Sequence, residues 1–503
     1  MQNKISLKKN TIANYIGQFY NMFIGIAILP AYMTYLGAEA FGLIGFFTML
    51  SAWMMLLDVG LSATISRQSA SLKHSLEQMI EFKHILRSVE AVFVVIALVI
   101  VFGVFLSDDW IANTWLNIET LDKNEVAYCI SLMGAMIAFK WLVGLYKGAI
   151  NGFEQQIWLN VYGVIINSLK FIGGFILVKY ISQSPSSYFE YQLVIGALEL
   201  IVIHHKVYKV VPKTANFLMP SIKYLKIIMP FALGIAYTSG LWIVLTNIDK
   251  LLLSNILPLK EYGYFSLIAV VVAGMSALAG PIGTAVQPRL TSLLSQEKNE
   301  EMIALYKKAT QFVAVIGFAV AGTVAVFSTE LLYAWTGDIQ AAKWAGDILF
   351  WYALGNGMLM ILAFQYYLQF AHGNLKYHIW GNTLFGFVQI AVMIVAVYSY
   401  GALGAGIAWF VLQAIFLSFW PGYIHSKFAK GIHKNWILQD VLPMMISSIV
   451  VLIAMKNLDI DFFSFGRIEL FLILLGFGGV VLIVNSLVAK DVRSMILNKL
   501  VKR

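Results

Sequence analysis

Apolar residues run along this chain in long blocks, mostly 20 to 27 residues, separated by short polar stretches. Blocks of that length match the roughly 20 residues a helix needs to cross the hydrocarbon core of a bilayer. They lack the strict alternation of membrane barrel strands, so helices are expected throughout. The pattern predicts 14 spans, at about 10–35, 41–66, 89–106, 124–146, 157–180, 188–211, 225–255, 261–287, 309–333, 345–371, 377–399, 403–425, 438–456 and 468–488. The loops between them are short, and none could hold a soluble domain.

The stretch from Leu36 to Gln68, LGAEAFGLIGFFTMLSAWMMLLDVGLSATISRQ, has an echo later in the chain. Phe41-Gly42 recurs as Tyr262-Gly263, and Ala63-x-x-x-Arg67 recurs as Ala285-x-x-x-Arg289, about 221 residues on. That offset matches helix 2 to helix 8, which makes the repeat unit six helices. Six is even, so both copies insert with the same polarity, as a parallel repeat about an axis along the membrane normal. The reading divides the chain into a six-helix lobe over 1–211, a second over 212–436, and helices 13 and 14 with a basic tail over 437–503. This is a transporter's layout.

Composition sharpens the class. The chain is 60% hydrophobic and 12% charged, with a mean hydropathy of +0.78, a balance that excludes a soluble domain. The formal charge of +9 would suggest nucleic acid, but the charges lie in short loops between spans. With the N-terminus inside, the inner segments carry 26 Lys and Arg and the outer ones 6. By the positive-inside rule both termini are cytoplasmic. The single cysteine, Cys129, falls within a span and can form no intrachain disulfide. Met1 to Asn10 is short and basic with no small-residue cleavage site after it, so no cleavable leader is expected.

Polar residues within the spans are the candidates for function. Asn14, Gln18 and Asn21 recur on one face of helix 1; Asn160, Asn167 and Lys170 do so on helix 5 with Gly163 and Gly174. Helix 7 carries Ser239, Trp242, Thr246 and Asp249, and helix 11 carries His378, Asn382 and Gln389. For any single amide, interhelical hydrogen bonding is the ordinary explanation; four such stripes favour a shared polar cavity. Charges cost more in lipid and say more. Lys170 and Glu199 lie at similar depth on neighbouring helices and are expected to pair, either as a static ion pair or as part of a cargo path. Asp58 has no sequence-local cation and must find a partner across helices or be protonated. Lys250, beside Asp249, is within snorkelling range of the outer surface, and Lys140 of the inner one. Tyr15, Trp53, Tyr237 and Trp242 lie deep enough to stack on sugar rings, although packing is the commoner use of such rings.

No P-loop is present, which excludes an ATP-driven pump in this chain alone. Asp459-Ile460-Asp461 is a lone DxD in an outer loop and reads as loop charge. His204-His205 lacks companion ligands, so no metal or cofactor is expected.

LGAEAFGLIGFF followed by LLDVGLSATISRQ resembles the second-helix signature of bacterial polysaccharide flippases, O-antigen-type exporters of the multidrug/oligosaccharidyl-lipid/polysaccharide superfamily. YKGAINGFEQ and NIDKLLLSNILPLKEYGYFSL are similar to that family's inner turn after helix 4 and the start of its second lobe. The resemblance implies two six-helix lobes in a V around a central cavity, and rocking between inward- and outward-open states. It implies a polyprenyl-pyrophosphate-linked oligosaccharide as cargo, moved from the inner to the outer leaflet of a bacterial cytoplasmic membrane, with a polysaccharide polymerase as a further partner. Asp58, Arg67, Asp249, Lys250 and Arg289 fall on motif positions, and Asp58, Asp249 and Glu199 are the candidates for coupling to an ion. Relatives that carry the peptidoglycan precursor place arginines in helix 1, where this chain has Asn14, Gln18 and Asn21, which argues against that cargo. A drug exporter of the same fold and a membrane-embedded polymerase or ligase remain alternatives; the longest outer loop, about 107–123, shows no catalytic constellation.

Overall fold

A computed structural model describes the backbone of residues 7–501 except 59 and 215–217, and the side chains of 14, 16–58, 60–214 and 218–495. The ring of Tyr15 and the terminal cations Lys4, Lys8, Lys9, Lys499, Lys502 and Arg503 lie outside the described side chains. Within these bounds the protein is all-α and polytopic: twelve helices are long and apolar enough to cross a membrane. The longest, Lys376–Phe428, is two helices joined at Gly401, whose φ of 59° and ψ of −142° suit glycine and lie outside helical space. That break falls between the expected spans 377–399 and 403–425. Pro185–Val210 is a further helix of 26 residues.

Several helices are interrupted where the sequence predicts continuity. The second span ends at Met54, tightens into a 3-10 turn over Met55–Asp58, and restarts as Leu61–Ser71 after Gly60 in the left-handed region. Gly60 also lies against the carbonyl of Ala232, 2.5 Å from where a Cβ would stand. Turns of π-helix occur at Ile111–Trp115, Leu169–Gly173 and Trp436–Val441. Each π turn frees carbonyls that must find other partners inside a membrane.

Contacts group the chain into two compact units, Met1–Gly263 and Tyr264–Arg503. In the first, helix Ile222–Ile256 packs against the 38–54, 61–71 and 76–110 helices. The duplicated glycines meet there. A Cβ on Gly42 would strike the carbonyl of Leu259, and one on Gly263 would strike that of Ala38. Small residues allow this backbone-to-backbone approach, a common basis of helix association in lipid. Beside it the buried carboxylate of Glu39 accepts the backbone N–H groups of Glu119 (2.6 Å), Thr120 (2.9 Å) and Leu121 (3.2 Å). Asn117 ties the same loop to the 222–256 helix, donating to the carbonyl of Asn255 at 2.7 Å.

In the second unit, helices His433–Lys456 and Arg467–Val488 pack on Asn299–Val326. Asn485, fully buried, donates to the Val315 carbonyl (3.2 Å) and to Ser448 (2.8 Å), and accepts from Ser447 (2.7 Å). Phe327, Phe462, Leu470 and Leu474 form an apolar cluster at one end of this trio, with Lys456 bonded to Glu330 at 2.6 Å nearby.

Candidate functional site

The densest charge inside a span lies in the first unit. Glu199, on Pro185–Val210, is about 16 Å along the helix from Val210 at 1.5 Å per residue, and its side chain is 7% exposed. One carboxylate oxygen receives the ammonium of Lys147 at 2.8 Å; the other receives that of Lys170. The expected Lys170–Glu199 pair is therefore present, extended by a lysine the sequence places at a loop. Tyr162 donates to the Glu199 carbonyl at 2.7 Å, and the Lys147 ammonium lies 5.7 Å from the Tyr162 ring centre. Lys140, two turns before Lys147 on helix Lys123–Gly152, is within electrostatic reach of all three charges. Among the described residues no carboxylate lies within ion-pair distance of it. Three ammonium groups and one carboxylate leave this cluster at a formal +2.

The backbone at Lys170 is built for the position. Lys170 sits in the π turn Leu169–Gly173. Tyr32 donates to the carbonyls of Lys170 (3.1 Å) and Phe171 (2.8 Å), Gln192 to that of Lys170 (2.9 Å), and Tyr191 to that of Leu169 (2.7 Å). These are the acceptors a π turn strands. Gly173 and Gly174 admit the donors: a Cβ at Gly173 would strike the Tyr191 hydroxyl, and one at Gly174 would lie 2.5 Å from that of Tyr32. Three helices thus hold one lysine in place.

The other expected residues disperse. Asn14 accepts from Asn160 at 2.6 Å, and Tyr20 meets Ser168 at 2.6 Å, joining helix 1 to helix 5. Asn21 lies beside Gly163, whose Cβ would stand 3.6 Å from it, while Gln18 is exposed and Asn167 half-buried. Asp58 does not reach across helices. Its carboxylate accepts the amide (3.1 Å) and hydroxyl (2.7 Å) of Ser62, capping the restarted helix. Lys250 bonds to the Thr246 carbonyl at 2.5 Å and lies 3.5 Å from Asp249. Asp249 is buried, and Trp242 on the same helix is 55% exposed. Arg67 is exposed with its guanidinium 4.3 Å from the Phe231 ring centre, and Arg289 is exposed. In the second unit His378 bonds to Asn382, and Gln389 is buried.

Two features escaped the sequence reading. Lys147 follows the last apolar residue of its span and reads as a loop cation. A heptad offset from Lys140, placing both on one face, was the available signal. Glu90 is buried and receives Tyr208 at 2.6 and 2.7 Å and Arg87 at 3.2 Å. Its i,i+3 spacing from Arg87 is an ordinary helix pair, which hid it. Among the described residues no group of three or more His, Cys, Asp or Glu is placed to hold a metal ion. Asp461 caps a short turn by accepting the Phe463 amide at 3.2 Å, in keeping with loop charge.

Comparison with known proteins adds family and fold. The profile of the family described as polysaccharide biosynthesis protein matches residues 7–294. No curated protein sequence matches the chain. Among solved structures, a lipid II flippase MurJ in an inward closed conformation is 17% identical, with a TM-score of 0.70, covering 97% of this chain and 99% of its own. An inward-facing multidrug resistance MATE transporter of the MOP superfamily is 12% identical, with a TM-score of 0.62, covering 82% of this chain and 96% of its own. A MOP superfamily transporter from Pyrococcus furiosus, whose binding pocket is described as of reverse polarity, is 14% identical, with a TM-score of 0.55, covering 84% of this chain and 97% of its own. The fold is that of these transporters.

Proposed function

The chain belongs to the polysaccharide biosynthesis protein family, and on that premise we propose that it is a flippase for a polyprenyl-pyrophosphate-linked oligosaccharide. The cargo is an O-antigen or similar repeat unit, carried from the inner to the outer leaflet of a bacterial cytoplasmic membrane by alternating access. The reading includes fourteen crossings and cytoplasmic termini. One observation carries it: the +2 cluster of Lys140, Lys147, Lys170 and Glu199 on the helices of the first unit, with Lys170 and Glu199 well inside their spans. A pyrophosphate and its sugars cannot enter hydrocarbon unaided, and a positive site at that depth offers the head group a station. The lipid tail stays in the bilayer. Lys140 makes the first contact because no carboxylate holds it. The uncharged Asn14, Gln18 and Asn21, where relatives carrying the peptidoglycan precursor place arginines, support a different glycan from that precursor.

The sign of the cluster also weighs against the alternative, export of cationic drugs. An unpaired buried anion would attract such a cation, whereas Glu199 is matched twice over. Deletion of the gene in its own host, with complementation by the wild type and by Lys140→Ala, tests the proposal. Surface polysaccharide is expected to vanish on deletion and to return with the wild type only. An intact surface glycan in the deletion strain, with dye resistance conferred by the wild type, establishes the drug exporter instead.

A further inference from the structure

Glu199 occupies the same lysines that the proposed cargo needs. Its two oxygens each hold one ammonium, Lys147 at 2.8 Å and Lys170, in the way two oxygens of a phosphate would. The carboxylate is the fixed member of the set. It is 7% exposed, and its backbone carbonyl is held by Tyr162. The ammonium groups are the movable members, with the Lys147 side chain 46% and the Lys170 side chain 27% exposed. An incoming anion competes with Glu199 for these two, beside Lys140, which no described carboxylate holds.

Charge decides that competition. Two negative charges neutralise a cluster of three ammonium groups and one carboxylate; one negative charge leaves it positive and leaves Lys147 and Lys170 with Glu199. A buried carboxylate stripped of its cations is costly, so it draws them back once the anion moves on. We propose that Glu199 is an internal counter-ion that the pyrophosphate of the cargo displaces from Lys147 and Lys170, making the site selective for a doubly charged head group and assisting its release. This rests on the flippase reading above and assigns Glu199 a role in specificity and turnover.

The test uses the full-length protein in nanodiscs with two probes differing by one charge, farnesyl pyrophosphoryl-N-acetylglucosamine and farnesyl phosphoryl-N-acetylglucosamine. The wild type is expected to bind the first roughly tenfold more tightly than the second, the scale of one charge-assisted hydrogen bond. In Glu199→Gln both probes bind more tightly, the phosphodiester gains most, and discrimination falls to about threefold or less, while turnover in vesicles drops. Lys147→Gln/Glu199→Gln guards against misfolding by three unbalanced lysines, since it restores the formal +2. It too should lose discrimination, because no internal anion remains to be displaced. Wild-type discrimination in that double variant would show that net charge alone sets selectivity and would overturn the counter-ion role, leaving the docking site intact. Binding of neither probe by the wild type would instead overturn the docking reading itself.

Discussion

At the scale of single residues, pairing separates the lysines more sharply than depth does. By depth alone Lys170 is the amine to remove, because Lys140 is near enough to a helix end to reach the interface. The structure gives Lys170 a carboxylate, a π turn and supporting donors, and among the described residues gives Lys140 no carboxylate. Lys140→Ala should therefore weaken binding of the pyrophosphate probe by about 1.5–3 kcal/mol, roughly ten- to a hundredfold, without loss of folded protein. Lys170→Ala should in addition lower stability, since Glu199 would lose a cation. Equal effects on binding with equal stability would remove the distinction. Asp58 offers a second residue-scale contrast. As a cap for Ser62 it tolerates Asn, whereas Asp58→Ala should cost about 1 kcal/mol in unfolding free energy. Loss of export in Asp58→Asn with unchanged stability would return Asp58 to an ion-coupling role.

At the scale of elements, interruptions of the helices mark the places where structure serves the site. The π turn at Leu169–Gly173 strands carbonyls that Tyr32, Gln192 and Tyr191 satisfy from two other helices. Tyr32→Phe removes the hydroxyl whose single proton the Lys170 and Phe171 carbonyls share, and is expected to destabilise the protein by about 1 kcal/mol, given the modest worth of such bonds in membranes. It should also weaken pyrophosphate binding, because the Lys170 backbone is no longer pinned; unchanged binding would mean that the π turn holds by itself. The Gly42–Gly263 contact makes the converse case. Gly42→Val places a branched side chain against the Leu259 carbonyl, and separation of the two helices should cost about 1–3 kcal/mol. Thermal unfolding in detergent reads the change directly.

At the scale of the whole molecule the prediction concerns topology. Cys129 is buried, so a Cys129→Ser background with single cysteines at positions 123, 298 and 499 gives a clean readout. An impermeant thiol reagent added outside intact cells should label position 123 alone. Labelling at 499 would break the even count of crossings and, with it, the parallel repeat. The two units also differ in the polar groups they bury. Among the described residues the first buries the carboxylates Glu39, Glu90, Glu199 and Asp249, while the second buries Glu330 and Asp440 together with the amides Gln311, Asn356, Gln365, Gln369, Gln389 and Gln413.

What the sequence determined by itself is what hydrophobicity and covalent order dictate: an all-helical membrane protein, spans of bilayer length, the break near Gly401, and the duplicated Gly42 and Gly263. The Lys170–Glu199 pair was legible too, because two charges at equal depth in lipid must find each other. Tertiary structure decided which charges were left over. Lys147 joins Glu199 only because two helices bring together residues 52 positions apart. Asp58 finds Ser62 where its helix breaks, and Asn14 of the helix 1 stripe accepts from Asn160. The physical reason is common to all of them. Period and hydropathy report which face of a helix is polar, but a polar group is free for cargo only if no neighbour already satisfies it. Neighbours are set by packing.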